Sequence, residues 1–292
     1  MSLSFISALY EHINQAGKSQ LLGLGKSTRY RSFRKPDLQT LGLFQKISSA
    51  VVYPSADADG TVILFGPLLG VLNMGDFNGS FVQITNKKGS GVNQVVNQLA
   101  PYAFNDATQS LLMVAPNRGF EVRLSFRDLF LDKWKTILDA KLAGSQAKRH
   151  GDPTLTWEMW PQGISYLDPN AKYLKIHQKL DIVLDWWPDY EASVTYHVYL
   201  YLDGAGKLKG YVQRWAYWVE GGVKSGEIAN KLEPKVISGM DALNTELSTQ
   251  LGAFSSFTLK DLYYLPGNQT TPPPSGVITG TTLDDVTIVV AL

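Results

Sequence analysis

Four histidines, His12, His150, His177 and His197, are the side chains best suited to move protons near neutral pH or to ligate a metal. His177 and His197 fall on polar or mixed phases of consecutive strand-like segments, with Asp181 four residues beyond the first. That grouping would suit a metal-ligand or acid–base cluster. No H-E-x-x-H string accompanies it, and histidines on the solvated face of a sheet are ordinary surface residues. Glu158, Asp168, Asp181, Asp185, Asp189 and Glu191 are material for a glycosidase pair, but their spacing singles out no two. No G-x-S-x-G elbow is present. Gly25-Lys26-Ser27 and Lys88-Gly89-Ser90-Gly91 lack the full spacing of a phosphate loop. The chain has no cysteine, which removes thiolate nucleophiles, disulfides and cysteine-ligated metals together. A non-enzymatic protein is therefore expected.

Aromatic side chains are the stronger chemical signal. All seven tryptophans lie between Trp134 and Trp218, while residues 1–133 contain none. With Tyr190, Tyr196, Tyr199, Tyr201, Tyr211 and Tyr217 they crowd a few strands. Alternation sends rings to both faces, so one core does not hold them all. Strict alternation places Tyr199 and Tyr201 with His197, Trp215 with Tyr217, and Trp218 with Arg214 on the opposite face. Trp186 and Trp187, adjacent at a strand end, must expose at least one ring. Trp186, Trp187, Tyr190, Tyr199, Tyr201, Trp215 and Trp218 form the expected ligand-binding set, as a surface for a glycan or membrane or as the lining of an apolar pocket.

The remaining composition is restrictive. Lys+Arg 27 against Asp+Glu 26 leaves a formal charge of +1, so no overall field recruits nucleic acid. No apolar window approaches the roughly 18 residues of a membrane-spanning helix. The N-terminus lacks a basic n-region and reads as a first strand, which points to a cytoplasmic protein or one exported without a cleaved signal.

The elements that must position these residues alternate in type along the chain. Short strands separated by turns are predicted at 3–10, 18–24, 47–53, 62–65, 80–85 and 110–114, with no helix before residue 110. The apolar segment from Gly66 to Gly75 is expected to pack on a neighbouring domain. Phe126, Phe130, Trp134, Ile137, Leu138 and Leu142 mark one face of a helix that Gly144 ends. Strands follow at 174–186, 192–202 and 208–219, the last two joined by the hairpin Asp203-Gly204-Ala205-Gly206-Lys207. Ile228, Leu232, Val236, Met240, Leu243, Leu247 and Leu251 mark a second helix, with Pro234 favouring a start near Leu232. Thr270 to Gly276 reads as an extended linker, and Val286 to Leu292 as a strand that returns to its own sheet or pairs with a neighbour, the latter a route to oligomers.

A motif also repeats within the first 115 residues. Tyr10 to Ser19 with the closing stretch Phe44-Gln45-Lys46-Ile47-Ser48-Ser49 forms one copy. Phe77-Asn78-Gly79-Ser80-Phe81 with Phe104-Asn105-Asp106-Ala107-Thr108-Gln109-Ser110 forms the other. An aromatic, a nearby glycine, an alternating strand and an Asn-Asp…Ser closing loop resemble the βγ-crystallin Greek-key motif. The resemblance implies a Greek-key β-sandwich over residues 1–118. It further implies calcium loops of the form Asn/Asp-Asn/Asp-x-x-Ser/Thr-Ser, each here half degraded. Gln109 stands at one ligand position, and Phe44-Gln45 replaces the pair that opens the first loop. One weak calcium site at Glu11, Ser48, Asn105 and Asp106 is what it supports; no cofactor is required.

The expected protein is mainly β and α+β. Residues 1–118 form a βγ-crystallin-like sandwich, 119–265 a Trp-rich antiparallel meander with two amphipathic helices, and 266–292 a linker and final strand. The leading functional expectation is recognition of a glycan or lipid surface, in a toxin- or effector-like role. The alternatives are a calcium-stabilised structural or stress protein, and an enzyme or carrier of a small apolar ligand with its site in the meander.

Overall fold

The computed structural model of the chain describes residues 3–67, 77, 79–116, 118–158, 172–185, 188–282 and 284–292, without the side chains of 156, 158, 172 and 214–216. Most of the apolar segment after Gly66, together with Trp160, Asp168, Trp186 and Trp187, lies outside the described residues. The chain divides into two compact units, 1–123 with 263–292, and 124–262. Both contain antiparallel sheets, and the whole is mainly β with three α-helices among the described residues.

The first unit begins with β1 (Leu3–Tyr10), β2 (Ser19–Gly25) and β3 (Tyr30–Phe33). A short helix, α1 (Lys35–Leu41), then departs from the expectation of no helix before residue 110. Its ends explain it. The Arg34 N–H donates to the Asp37 carboxylate at 2.8 Å, Pro36 sits in the first turn, and Gly42 closes the helix at φ 72°. One buried residue, Leu38, gives too little periodicity to read in advance.

There follow β4 (Ser49–Val52), β5 (Gly60–Gly66), β6 (Ser80–Asn86), β7 (Gln94–Val96), β8 (Ser110–Val114) and β9 (Glu121–Ser125). One sheet has the order β2-β1-β4-β7. Phe5, Leu9, Leu22 and Leu24 face inward from it and meet Val62, Leu64, Val82, Ile84, Leu111 and Met113 in a single core.

The second unit starts with a π-helical turn, Arg127–Leu131, running into α2 (Asp132–Leu142). Phe126, Phe130, Trp134, Leu138 and Leu142 are buried along its one side. Then β10 (Ala147–Glu158), β11 (Lys172–Ile182), β12 (Tyr190–Leu202) and β13 (Leu208–Val219) form a sequential meander. The even positions of β11, Leu174 to Ile182, are buried, including Gln178. Its amide donates to the carbonyls of His150 and Gly151, where β10 bulges around Gly151-Asp152-Pro153 and loses its ladder partners. Asp203 accepts from the N–H groups of Ala205 and Lys207, both at 2.9 Å, and Gly206 takes φ 70° to close the hairpin between β12 and β13.

The last helix, α3 (Ser225–Gly252), corrects the expected start near Leu232: it runs through Pro234 unbroken. Seven buried residues on one face, from Ile228 to Leu251, outweigh the one hydrogen bond that a proline removes. No helix among the described residues is long and apolar enough to cross a membrane.

Residues 263–292 return to the first unit, so the predicted separate segment 266–292 is part of it. They carry β14 (Asp261–Pro266), β15 (Gly276–Thr281) and β16 (Val286–Ala291). β16 is the middle strand of β14-β16-β9, fully buried, with both edges paired inside the chain. Of the two expected roles, the strand takes the return to its own chain, and not the edge that would pair with a neighbour. β15 joins the edge of β6 and completes the order β15-β6-β5-β8-β3. Between β14 and β15, Gln269 pairs its amide with that of Gln83 through bonds of 3.1 and 2.8 Å. Pro272 and Pro273 line a small cavity with Thr61 and Thr85, and every residue of β5 is buried, so the strand does not alternate.

Candidate functional site

The two closing loops of the first unit come together through reciprocal bonds. The Gln45 N–H donates to the Thr108 carbonyl at 2.9 Å, and the Asp106 N–H donates to the Ile47 carbonyl at 3.2 Å. Gln45 and Asp106 occupy equivalent places and both are left-handed, at φ 52° and 53°. The correspondence extends outward. Gln15 (φ 61°) donates its N–H to Ser49 Oγ at 3.1 Å, and Phe77 (φ 59°) donates its N–H to Ser110 Oγ at 2.8 Å. Non-glycine residues held at positive φ are costly, and such pairs persist only where surrounding bonds fix them.

Between the loops three oxygens converge. Ser48 Oγ lies 2.8 Å from the Glu11 carbonyl and 2.9 Å from Asp106 Oδ1. A hydroxyl carries one proton, so Ser48 donates to only one of these acceptors at a time. A cation among them would satisfy both, and the donor set of carbonyl, hydroxyl and carboxylate suits a hard one. Asn105 Nδ2 donates to Asp106 Oδ2 at 3.0 Å, which orients the carboxylate, while the Glu11 carboxylate turns to Lys46, 3.7 Å away. All four expected residues thus meet, although Glu11 offers its carbonyl and Asn105 its amide nitrogen. The equivalent place in the other half holds Gln45 and Gln109, with neither carboxylate nor hydroxyl. Among the described residues no three His, Asp or Glu side chains group to hold a metal.

The aromatic set is not gathered in the same way. Tyr190 is buried on the helix-facing side of the meander, where its hydroxyl accepts from the Lys224 N–H at 3.2 Å. Tyr199 and Tyr201 lie on the opposite face. There the His197 ring stacks on Tyr173 with centres 4.4 Å apart, and Tyr199 packs on both. Trp186, Trp187 and the Trp215 side chain lie outside what the structure describes. Strict alternation fails at Trp218. A register shift between Thr195 and Tyr196 makes Trp215 an extra residue in β13, so Trp218 pairs with Ser193 and Tyr217 with Val194. Trp218 therefore shares the face of Tyr199 and Tyr201 and is 53% exposed. Tyr217 points to α3, where its hydroxyl meets Glu233 at 3.4 Å.

Asp181, His177 and His197, which the sequence offers either as a cluster or as ordinary surface residues, each meet a different partner. Asp181 pairs with His150 at 2.9 Å, His177 Nδ1 meets Thr195 Oγ1 at 3.0 Å, and His197 meets the Tyr199 hydroxyl at 3.4 Å. Burial, then Lys175, pushes His197 down to about 4; burial, Lys175 and Lys179 lower His177. Tyr173 and Lys175, which shape this face, were not singled out by sequence; their shared phase with His177 was the available signal.

The chain matches no family model, no curated protein and no solved structure.

Proposed function

We propose that the first unit is a pair of βγ-crystallin-type Greek-key motifs holding one weak calcium ion, in a non-enzymatic structural or binding protein that the ion stabilises. The observation that carries this is the meeting of Glu11 O, Ser48 Oγ and Asp106 Oδ1 between two loops built alike. The strand order supports it. β3 of the first half pairs with β8, and β7 of the second half pairs with β4, so each half lends a strand to the other's sheet. Calcium takes about six to eight oxygens, so three from the protein leave the rest to water and imply a dissociation constant of roughly 10⁻⁴ to 10⁻³ M. Calorimetric titration with calcium tests this. One ion per chain in that range is expected, lost in Asp106→Ala and weakened in Ser48→Ala. No heat, or an unchanged isotherm in Asp106→Ala, defeats the proposal.

Exposed Trp218, brought by the bulge onto the face of Tyr199 and Tyr201, favours a second reading: recognition of a glycan or lipid surface by the meander. Liposome flotation and glycan binding should both weaken in Trp218→Ala if that face is used.

A further inference from the structure

A cavity of about 610 Å³ opens within residues 124–262, between the turn after α2, the end of β11 and the first turns of α3. Its floor is apolar: Ile182, Leu184, Ile228 and Leu232. Its rim is cationic. Lys224, Lys231 and Lys235 line it from α3, at spacings that place them on one side of the helix with Ile228 and Leu232. Two carboxylates, Glu227 and Asp185, stand against these three ammonium groups.

The lysine partners show what the rim accepts. Glu227 is held by Lys231 at 2.7 Å and Lys224 at 2.9 Å, so the chain's own carboxylate occupies the space between two ammonium groups. Lys235 Nζ donates to the Lys141 carbonyl, at 3.0 Å, in the last turn of α2. The volume falls in the range of roughly 300–1,000 Å³ typical of small-molecule sites, which combine apolar walls with a few placed polar groups.

We propose that this cavity binds an amphipathic anion, an apolar chain or ring ending in a carboxylate or phosphate, with its apolar part on Ile182, Leu184, Ile228 and Leu232 and its charged end among Lys224, Lys231 and Lys235. The ligand's anion competes with Glu227 for the same ammonium groups. Removing the Glu227 charge therefore strengthens binding, and removing the lysines weakens it. A charge pair near 4 Å at a wet surface is worth about fivefold in affinity.

Titration calorimetry of the full chain tests this with decanoate, decyl phosphate and neutral decanol, and flotation with phosphatidylglycerol vesicles presents an anionic group on a surface. The expected result is saturable binding of both free anions, about fivefold tighter in Glu227→Gln and about fivefold weaker in Lys231→Ala. Decanol should bind more weakly and respond to neither change. These side chains are solvent-facing, and a gain of affinity in Glu227→Gln does not arise from misfolding. Absence of binding by the free anions, equal affinity for decanol, indifference to Glu227→Gln, or binding to vesicles alone would each overturn the proposal.

Discussion

At His197 the imidazole lies nearly flat on Tyr173 and is pushed down to about 4 by burial and by Lys175. In the unfolded chain the ring titrates near its ordinary 6.5, so between those values the unfolded state binds a proton the folded state refuses. Stability of the second unit should fall as pH drops through this window and level off below about 4. His177, shifted in the same direction, adds to the loss. After solvent screening, His197 contributes on the order of 2 kcal/mol. Every tryptophan lies in the second unit, so indole emission follows its unfolding alone. Melting monitored that way at pH 7.5 and 4.5 should show the drop, and His197→Gln should flatten it. An unchanged midpoint across that range would contradict the account.

Among the elements, β13 is held in a way its own sequence does not reveal. Asn244 of α3 accepts from the Val212 N–H at 2.7 Å and donates to the Val212 carbonyl at 2.8 Å, closing backbone groups on an edge strand. Asn244→Ala should lower the stability of the second unit by about 1–3 kcal/mol, because two half-buried groups lose their partner. Pro234→Ala should raise it by about 1–3 kcal/mol, since an interior proline forfeits a helical bond and crowds the preceding turn. Denaturant melts followed by indole emission measure both. These elements also show what was legible. Alternation located β1, β8, β11 and β12, and periodicity located α2 and the later turns of α3. Where a bulge intervenes the parity breaks, so Trp218 changes face and β10 stays hidden behind Gly151-Asp152-Pro153. Ser48 and Asp106 were legible only through the repeated closing-loop pattern, since the bond that joins them spans 58 residues of sequence. Alternation also placed Tyr199 and Tyr201 beside His197, but not Trp218, whose face depends on a one-residue register shift.

Over the whole molecule, the chain's ends build one unit around a sequence insertion. Residues 263–292 supply β15 to the edge of β6, two of three strands to the sheet with β9, and the Gln269 partner of Gln83. Residues 1–123 expressed alone should therefore lack cooperative melting by circular dichroism. A sharp transition at the temperature seen in the full chain would refute that dependence. The central claim is that calcium bound between Ser48, Asp106 and the Glu11 carbonyl stabilises this unit. Scanning calorimetry of the full chain in EDTA and in 10 mM calcium tests it most directly. A site with a dissociation constant of about 1 mM predicts a gain of roughly 1.4 kcal/mol in the transition of the first unit. The indole-monitored transition should stay fixed, and Asp106→Ala should erase the gain. A first-unit transition that does not move with calcium, or moves equally in Asp106→Ala, would contradict it.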